Sequence, residues 1–152
     1  EKLLKKALKD IMGDYDIVVC DCPPNLTLPT QNALAISTHY VVPVSPDFLS
    51  SLGIALLIGR VKKFGEDMEL EIKNAGIVLS RVGRQSNFRD RTTADLRKQF
   101  SGNMLKSEIK ERSVITEATA KNKSVFEMGD AAAKREFAAV SEEILKKVGL
   151  KK

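Results

Sequence analysis

With 152 residues, 43% of them hydrophobic and 30% charged, and a formal net charge of +5, the chain has the size and apolar content of one globular domain over residues 1–152. No apolar run approaches the roughly 18 residues of a membrane span, and the Lys-rich N-terminal stretch has no signal-peptide cleavage pattern. One histidine (His39) and two cysteines (Cys20 and Cys22) leave almost no material for a metal cluster or a Ser-His or Cys-His nucleophile. The one-residue spacing of the cysteines fits no zinc ligand set and would strain a disulfide, so both read as reduced thiols in a cytoplasmic setting.

In chain order, Leu4, Ala7, Leu8 and Ile11 share one helical face, and Gly13 supplies a stop. Ile17 to Cys20 is an apolar run with β-branched members, the pattern of a strand buried on both faces. It ends on Asp21, and a loop with Pro23, Pro24 and Pro29 follows. A short helix over about 30–37 leads to a second buried strand, Tyr40–Val44. Ile54, Leu57, Ile58 and Val61 predict a helix over about 50–64, followed by an acidic connector over 66–71. Residues 72–80 form a third strand. Phe88, Thr92, Leu96 and Phe100 line the inner face of a helix, and Met104–Ile109 is a short strand at or near an edge. A brief helix over about 114–121 precedes a last one marked by Phe137, Val140, Ile144 and Val148. Strands alternating with helices predict parallel βαβ units.

Charge is uneven along this order. Residues 1–80 carry a net −2 and residues 81–152 a net +7. The densest segment contains Arg81, Arg84, Arg89, Arg91, Arg97 and Lys98 against only Asp90 and Asp95. Arginine suits bidentate phosphate contacts, although a solvated helix face explains most charge runs.

Asp21 carries the sharpest chemical signal. A carboxylate closing a buried strand is either a polar terminator or a Walker B aspartate that holds a nucleotide's Mg²⁺ through water. Asp21-Cys-Pro-Pro-Asn25 resembles the Asp-x-Pro-Pro-Ser/Asn signature of ParA-type partition ATPases, relatives of the MinD ATPases. Val41-Val-Pro-Val-Ser-Pro46 with Leu52-Gly53 resembles the family's next strand, and Ala75-Gly-Ile-Val-Leu-Ser-Arg81 the strand before its nucleotide-base loop. Ile109-Lys-Glu-Arg-Ser113, Glu117-Ala118 and Lys123-Ser-Val-Phe-Glu127 resemble its late segment, and Gly129-Asp-Ala-Ala-Ala-Lys134 the tail of small plasmid-type members. The resemblance implies a P-loop NTPase-like, mostly parallel sheet with helices on both faces. It also implies ATP and Mg²⁺ as cofactors, an ATP-bound homodimer, binding to non-specific DNA, and a ParB-type centromere-binding partner that stimulates hydrolysis. By the same resemblance, Asp21 is the catalytic, metal-positioning residue. Pro23, Asn25, Pro46, Ser80 and Arg81 lie toward the nucleotide, and Arg84, Arg89, Arg91 and Arg112 toward DNA. Asn25 reads equally as a cap for the segment after it or as a γ-phosphate reporter.

The family's deviant P-loop, Lys-Gly-Gly-x-Gly-Lys-Thr/Ser, lies about a hundred residues before its Walker B. In this sequence no Gly is followed directly by Lys. The chain therefore reads as the C-terminal two-thirds of such an ATPase, inactive by itself, with a gap in the sheet between strands 15–20 and 39–44 for the P-loop strand. Two other readings stand beside it. One is a MinD-like membrane-positioning ATPase, against which the C-terminal helix lacks an aromatic after Phe137. The other is a non-enzymatic DNA- or protein-binding module that kept the fold without the P-loop.

Overall fold

A computed structural model describes residues 3–47, 50–83 and 87–150. The elements run α1 (Leu3–Leu8), a 3₁₀ turn (Met12–Asp14), α2 (Leu28–Leu34), β1 (His39–Val44), α3 (Ser50–Asp67), β2 (Lys73–Val82), α4 (Asn87–Gln99), β3 (Met104–Lys110), α5 (Ser113–Ala120), a 3₁₀ turn (Val125–Glu127) and α6 (Ala131–Lys147). This is the alternating α/β order that the hydrophobic periodicity predicts. The described sheet is parallel and has three strands in the order β1-β2-β3.

Contacts divide the chain into two compact units, Glu1–Tyr40 with Ala55–Lys73, and Val41–Ile54 with Asn74–Lys152. In the first unit, Leu34 of α2 packs on Val61 and Phe64 of α3, with Leu26, Tyr40, Leu57 and Met68 around them. Leu57, Val61 and Phe64 recur every three or four residues, so one stripe of α3 forms this core, with Met68 just past the helix end continuing it. Pro29 lies in the first turn of α2, where a missing N–H leaves no hydrogen bond unmade.

The second unit is built on β2, whose residues 75–79 are all buried. Val78 packs with Leu105 of β3 and Val140 of α6, with Val41, Ile109 and Ile144 beside them. Ile77 and Leu79 point to the other face and are fully buried as well, so both faces of the strand are covered. Gly76 has φ +152°, and a Cβ there would lie 2.4 Å from Leu105 Cδ2. Only glycine lets these two strands lie so close.

β3 is bulged. Ile77 pairs with Met104 and Leu79 with Glu108, so two residues of β2 span four of β3. The bulged backbone turns its amides toward α6, where the Glu143 carboxylate accepts from Lys106 N at 2.8 Å and Ser107 N at 2.9 Å. Two turns earlier on the helix, Glu136 accepts from Lys110 N at 3.0 Å. Asp130 caps α6 by accepting from Ala132 N and Ala133 N.

One expected element is not a strand. Residues 15–23 follow the 3₁₀ turn as irregular chain, with Ile17, Val18 and Val19 exposed by 45%, 44% and 85%. A β-branched run makes a strand only where a neighbour takes its amides and carbonyls, and none of the described strands does so here. The strand expected over 15–20 is therefore unpaired, and it does not close onto β1.

Candidate functional site

Pro46, Ser80–Arg81 and Arg112 all follow or close the C-terminal ends of parallel strands, the edge at which open α/β sheets bind ligands. Pro46 is buried just beyond β1. The turn it belongs to is closed by Ser50, whose hydroxyl donates to the Ser45 carbonyl and to Asp47 Oδ1. Ser80 is half-buried near the end of β2, and Arg81 is exposed in the left-handed region at φ +55°. A non-glycine residue in that region is a backbone strain that the surrounding fold must hold. The Arg81 guanidinium lies 3.7 Å from Glu111 beyond β3, a solvated pair.

Arg112 is the most firmly held of these side chains. Its Nη2 donates to Glu136 Oε1 at 2.6 Å and its Nε to Oε2 at 3.4 Å, while Nη1 lies 3.7 Å from Asp130 Oδ2. The hydrogen bond to Glu136, with the nearby carboxylate charges, outweighs burial and raises the Arg112 pKa above its ordinary value. This pair ties the residue before α5 to the first turns of α6. Arg97 on α4 likewise donates to Glu108 Oε2 at 2.7 Å and to the Leu105 carbonyl at 2.9 Å.

Between α4 and the ends of β2 and β3 lies an open groove of about 700 Å³, with Asp90, Arg97, Glu108, Lys110, Glu111 and Arg112 among its lining residues. Arg91 is exposed on α4. Arg84 and the side chain of Arg89 lie outside the described residues.

Asp21, Pro23 and Asn25 belong to the other unit. All three are exposed, Asp21 in the unpaired chain after Val19. Cys22, also exposed, donates its thiol to the Cys20 carbonyl at 3.6 Å. Partial desolvation by the neighbouring chain raises the Cys22 thiol pKa above its ordinary value, with Cys20 and Asp21 adding to the rise. Asn25 leads into α2: its Oδ1 accepts from the Thr27 hydroxyl at 3.0 Å, and its carbonyl accepts from buried Thr30 at 2.7 Å. Among the described residues no group of three or more His, Cys, Asp or Glu side chains is placed to hold a metal ion. Asp21 thus offers one carboxylate, which fits a metal already carried by nucleotide phosphates and does not by itself make a metal site.

Sequence reasoning missed Glu108, Asp130, Glu136 and Glu143 as organisers of this edge. Only Asp130 left a local signal, an acidic residue directly before an alanine-rich helix.

Comparisons with known proteins follow the same lines. The family model described as an AAA domain matches residues 1–74. The sporulation initiation inhibitor protein Soj of Bacillus subtilis is 27% identical over 126 residues, 83% of this chain and 50% of Soj. A ParA family protein of Chlamydia muridarum is 29% identical over 143 residues, 93% of this chain and 55% of that protein. The chain thus spans about half the length of these relatives. Among solved structures, Cyanthece apo McdA superposes with a TM-score of 0.81 at 16% identity, over 94% of this chain and 58% of McdA. Cobyrinic acid a,c-diamide synthase of Mycobacterium smegmatis, with bound ATP analog and magnesium, superposes at 0.56 and 24% identity over 64% of this chain and 39% of that enzyme. At these identities the structural likenesses establish the fold.

Proposed function

Because this chain belongs to the ParA/MinD-type P-loop ATPases, we propose that it is part of a partition ATPase, its two units belonging to one α/β domain. In the whole protein that domain couples ATP-dependent homodimerisation to non-specific DNA binding and segregates plasmid or chromosomal DNA. The observation that carries the reading is the gathering of Pro46, Ser80–Arg81 and Arg112 at one edge of one parallel sheet. Those residues come from separate motifs, in the order in which the family resemblance places them.

Each part then has a role. Asp21 would hold the nucleotide's Mg²⁺, with Pro23 and Asn25 following it in the turn. Pro46, Ser80 and Arg81 lie toward the nucleotide. The phosphate cradle needs a Gly-rich loop with its lysine, and these residues do not contain one. Magnesium and ATP, when bound, supply the phosphoryl chemistry. A ParB-type partner stimulates hydrolysis, and the protein works in the cytoplasm on the nucleoid. No described helix is long and apolar enough to cross a membrane.

DNA contact falls to Arg84, Arg89 and Arg91 around the start of α4. Arg112, with its guanidinium held by Glu136 and Asp130, acts in the same direction. Phosphate contacts give sequence-independent affinity that falls with salt, at a log–log slope of about −0.9 per phosphate neutralised. In the full-length protein with Mg·ATP, replacing Arg84, Arg89 and Arg91 by alanine should flatten that slope by about two to three units. The measurement is fluorescence anisotropy on random-sequence duplex DNA across a KCl series. An unchanged slope in the triple variant leaves the basic segment a solvated face and refutes the assignment.

A further inference from the structure

The groove beside α4 is lined by three cationic side chains among the described residues, and two of them are neutralised from within. Arg97 is paired to Glu108 at 2.7 Å and Arg112 to Glu136 at 2.6 Å, whereas Lys110 has no ion-pair partner among the described residues. The four paired side chains are between 18% and 33% exposed, so each pair lies where solvent and an outside anion can reach it. A guanidinium in a carboxylate pair must give up that pair before it can seat a phosphate.

We infer that this groove is a self-masked polyanion site. Glu108 and Glu136 act as internal competitors for Arg97 and Arg112, and they hold down affinity for the backbone of duplex DNA. The inference rests on the DNA-binding reading above and adds a repulsive element to it, the means by which binding surfaces restrain affinity as well as create it. Both pairs are partly solvated, so exchanging the carboxylate for an external phosphate avoids the large desolvation cost of a fully buried pair. Lys110, without an ion-pair partner among the described residues, offers the first contact.

The test uses the full-length protein with Mg·ATP and random-sequence duplex DNA, read by anisotropy over a KCl series. Glu108→Gln and Glu136→Gln keep side-chain shape while removing the competing charge. Each should tighten binding by roughly three- to tenfold at low salt and steepen the log–log salt slope by about 0.9, one more phosphate neutralised. Glu66→Gln is the control: it releases Lys62 from a solvated surface pair on α3, neither residue of which lines the groove, and should change affinity by less than about twofold. Lys110→Ala should weaken binding. If Glu108→Gln and Glu136→Gln bind no tighter than Glu66→Gln, the inference is overturned while the DNA reading stands. Wild-type protein with no salt-dependent binding overturns that reading and the inference together. Should Glu136→Gln fail to fold, Glu108→Gln decides alone.

Discussion

Glu143 and Glu136 hold their protons unusually weakly because the backbone needs their charge. Burial pushes the Glu143 pKa up, but the amides of Lys106 and Ser107 and the Ser107 hydroxyl outweigh it, and the net shift is below the ordinary value of 4.5. Burial likewise raises Glu136, and the Arg112 hydrogen bond with the Lys110 amide brings it below 4.5. Asp130 falls below 3.8, led by the hydrogen bond from the Ala133 amide. For each, the folded-state pKa is below the unfolded one. Their stabilisation is therefore complete above the ordinary carboxyl range and is lost as pH falls through 4.5 and on through the lowered values. Thermal melts from pH 7 to pH 3 should show a steep acid limb. Glu143→Gln should cost about 1–2 kcal/mol at pH 7, because a carboxamide has only one oxygen for two amides, and should flatten that limb. An unaltered acid limb in the variant would refute the assignment. None of this was legible in the sequence. Glu143 sits in an unremarkable polar stretch of a helix, and its partners lie 36 and 37 residues away, beyond any periodic signal.

Elements were legible where burial imposes a period. The α3 stripe, the buried run of β2 and Leu96 inside α4 all follow from spacing, because each packs one side against a core. The run Ile17–Cys20 misled for the complementary reason: β-branched side chains report a preference for extended chain and say nothing about a neighbouring strand. The acidic connector after α3 was partly misread too, since the helix continues to Asp67. The candidate site was half legible: the motif residues at strand ends could be found from sequence, but the carboxylates that hold Arg97 and Arg112 could not. Gly76 gives an element-scale test. Its alanine variant would combine an unfavourable backbone conformation with a Cβ 2.4 Å from Leu105 Cδ2 and 2.8 Å from Cγ. Urea unfolding should show a loss of about 2–6 kcal/mol, from roughly 1–3 for each of strain and overpacking. A loss under about 0.5 kcal/mol would mean that the strands can part at no cost.

For the molecule as a whole, the nucleotide question turns on what these 152 residues supply unaided. They contain no Gly-Lys step and present Asp21 on exposed, unpaired chain. Titration calorimetry of this chain alone should therefore show no micromolar binding of Mg·ATP, because a single carboxylate gives a weak Mg²⁺ site and phosphate needs a loop of amides. Micromolar affinity would show a cradle outside the P-loop pattern.

The bulge on β3 has a consequence for how the sheet can be extended. Carboxylates of α6 occupy the Lys106, Ser107 and Lys110 amides, so the donors that an incoming strand would pair with on that side are already taken. Growth of this sheet past β3 is thus opposed by a helix. A strand from elsewhere in the protein, a second molecule or a misfolded neighbour meets spoken-for donors on that side, and α6 is what keeps them so.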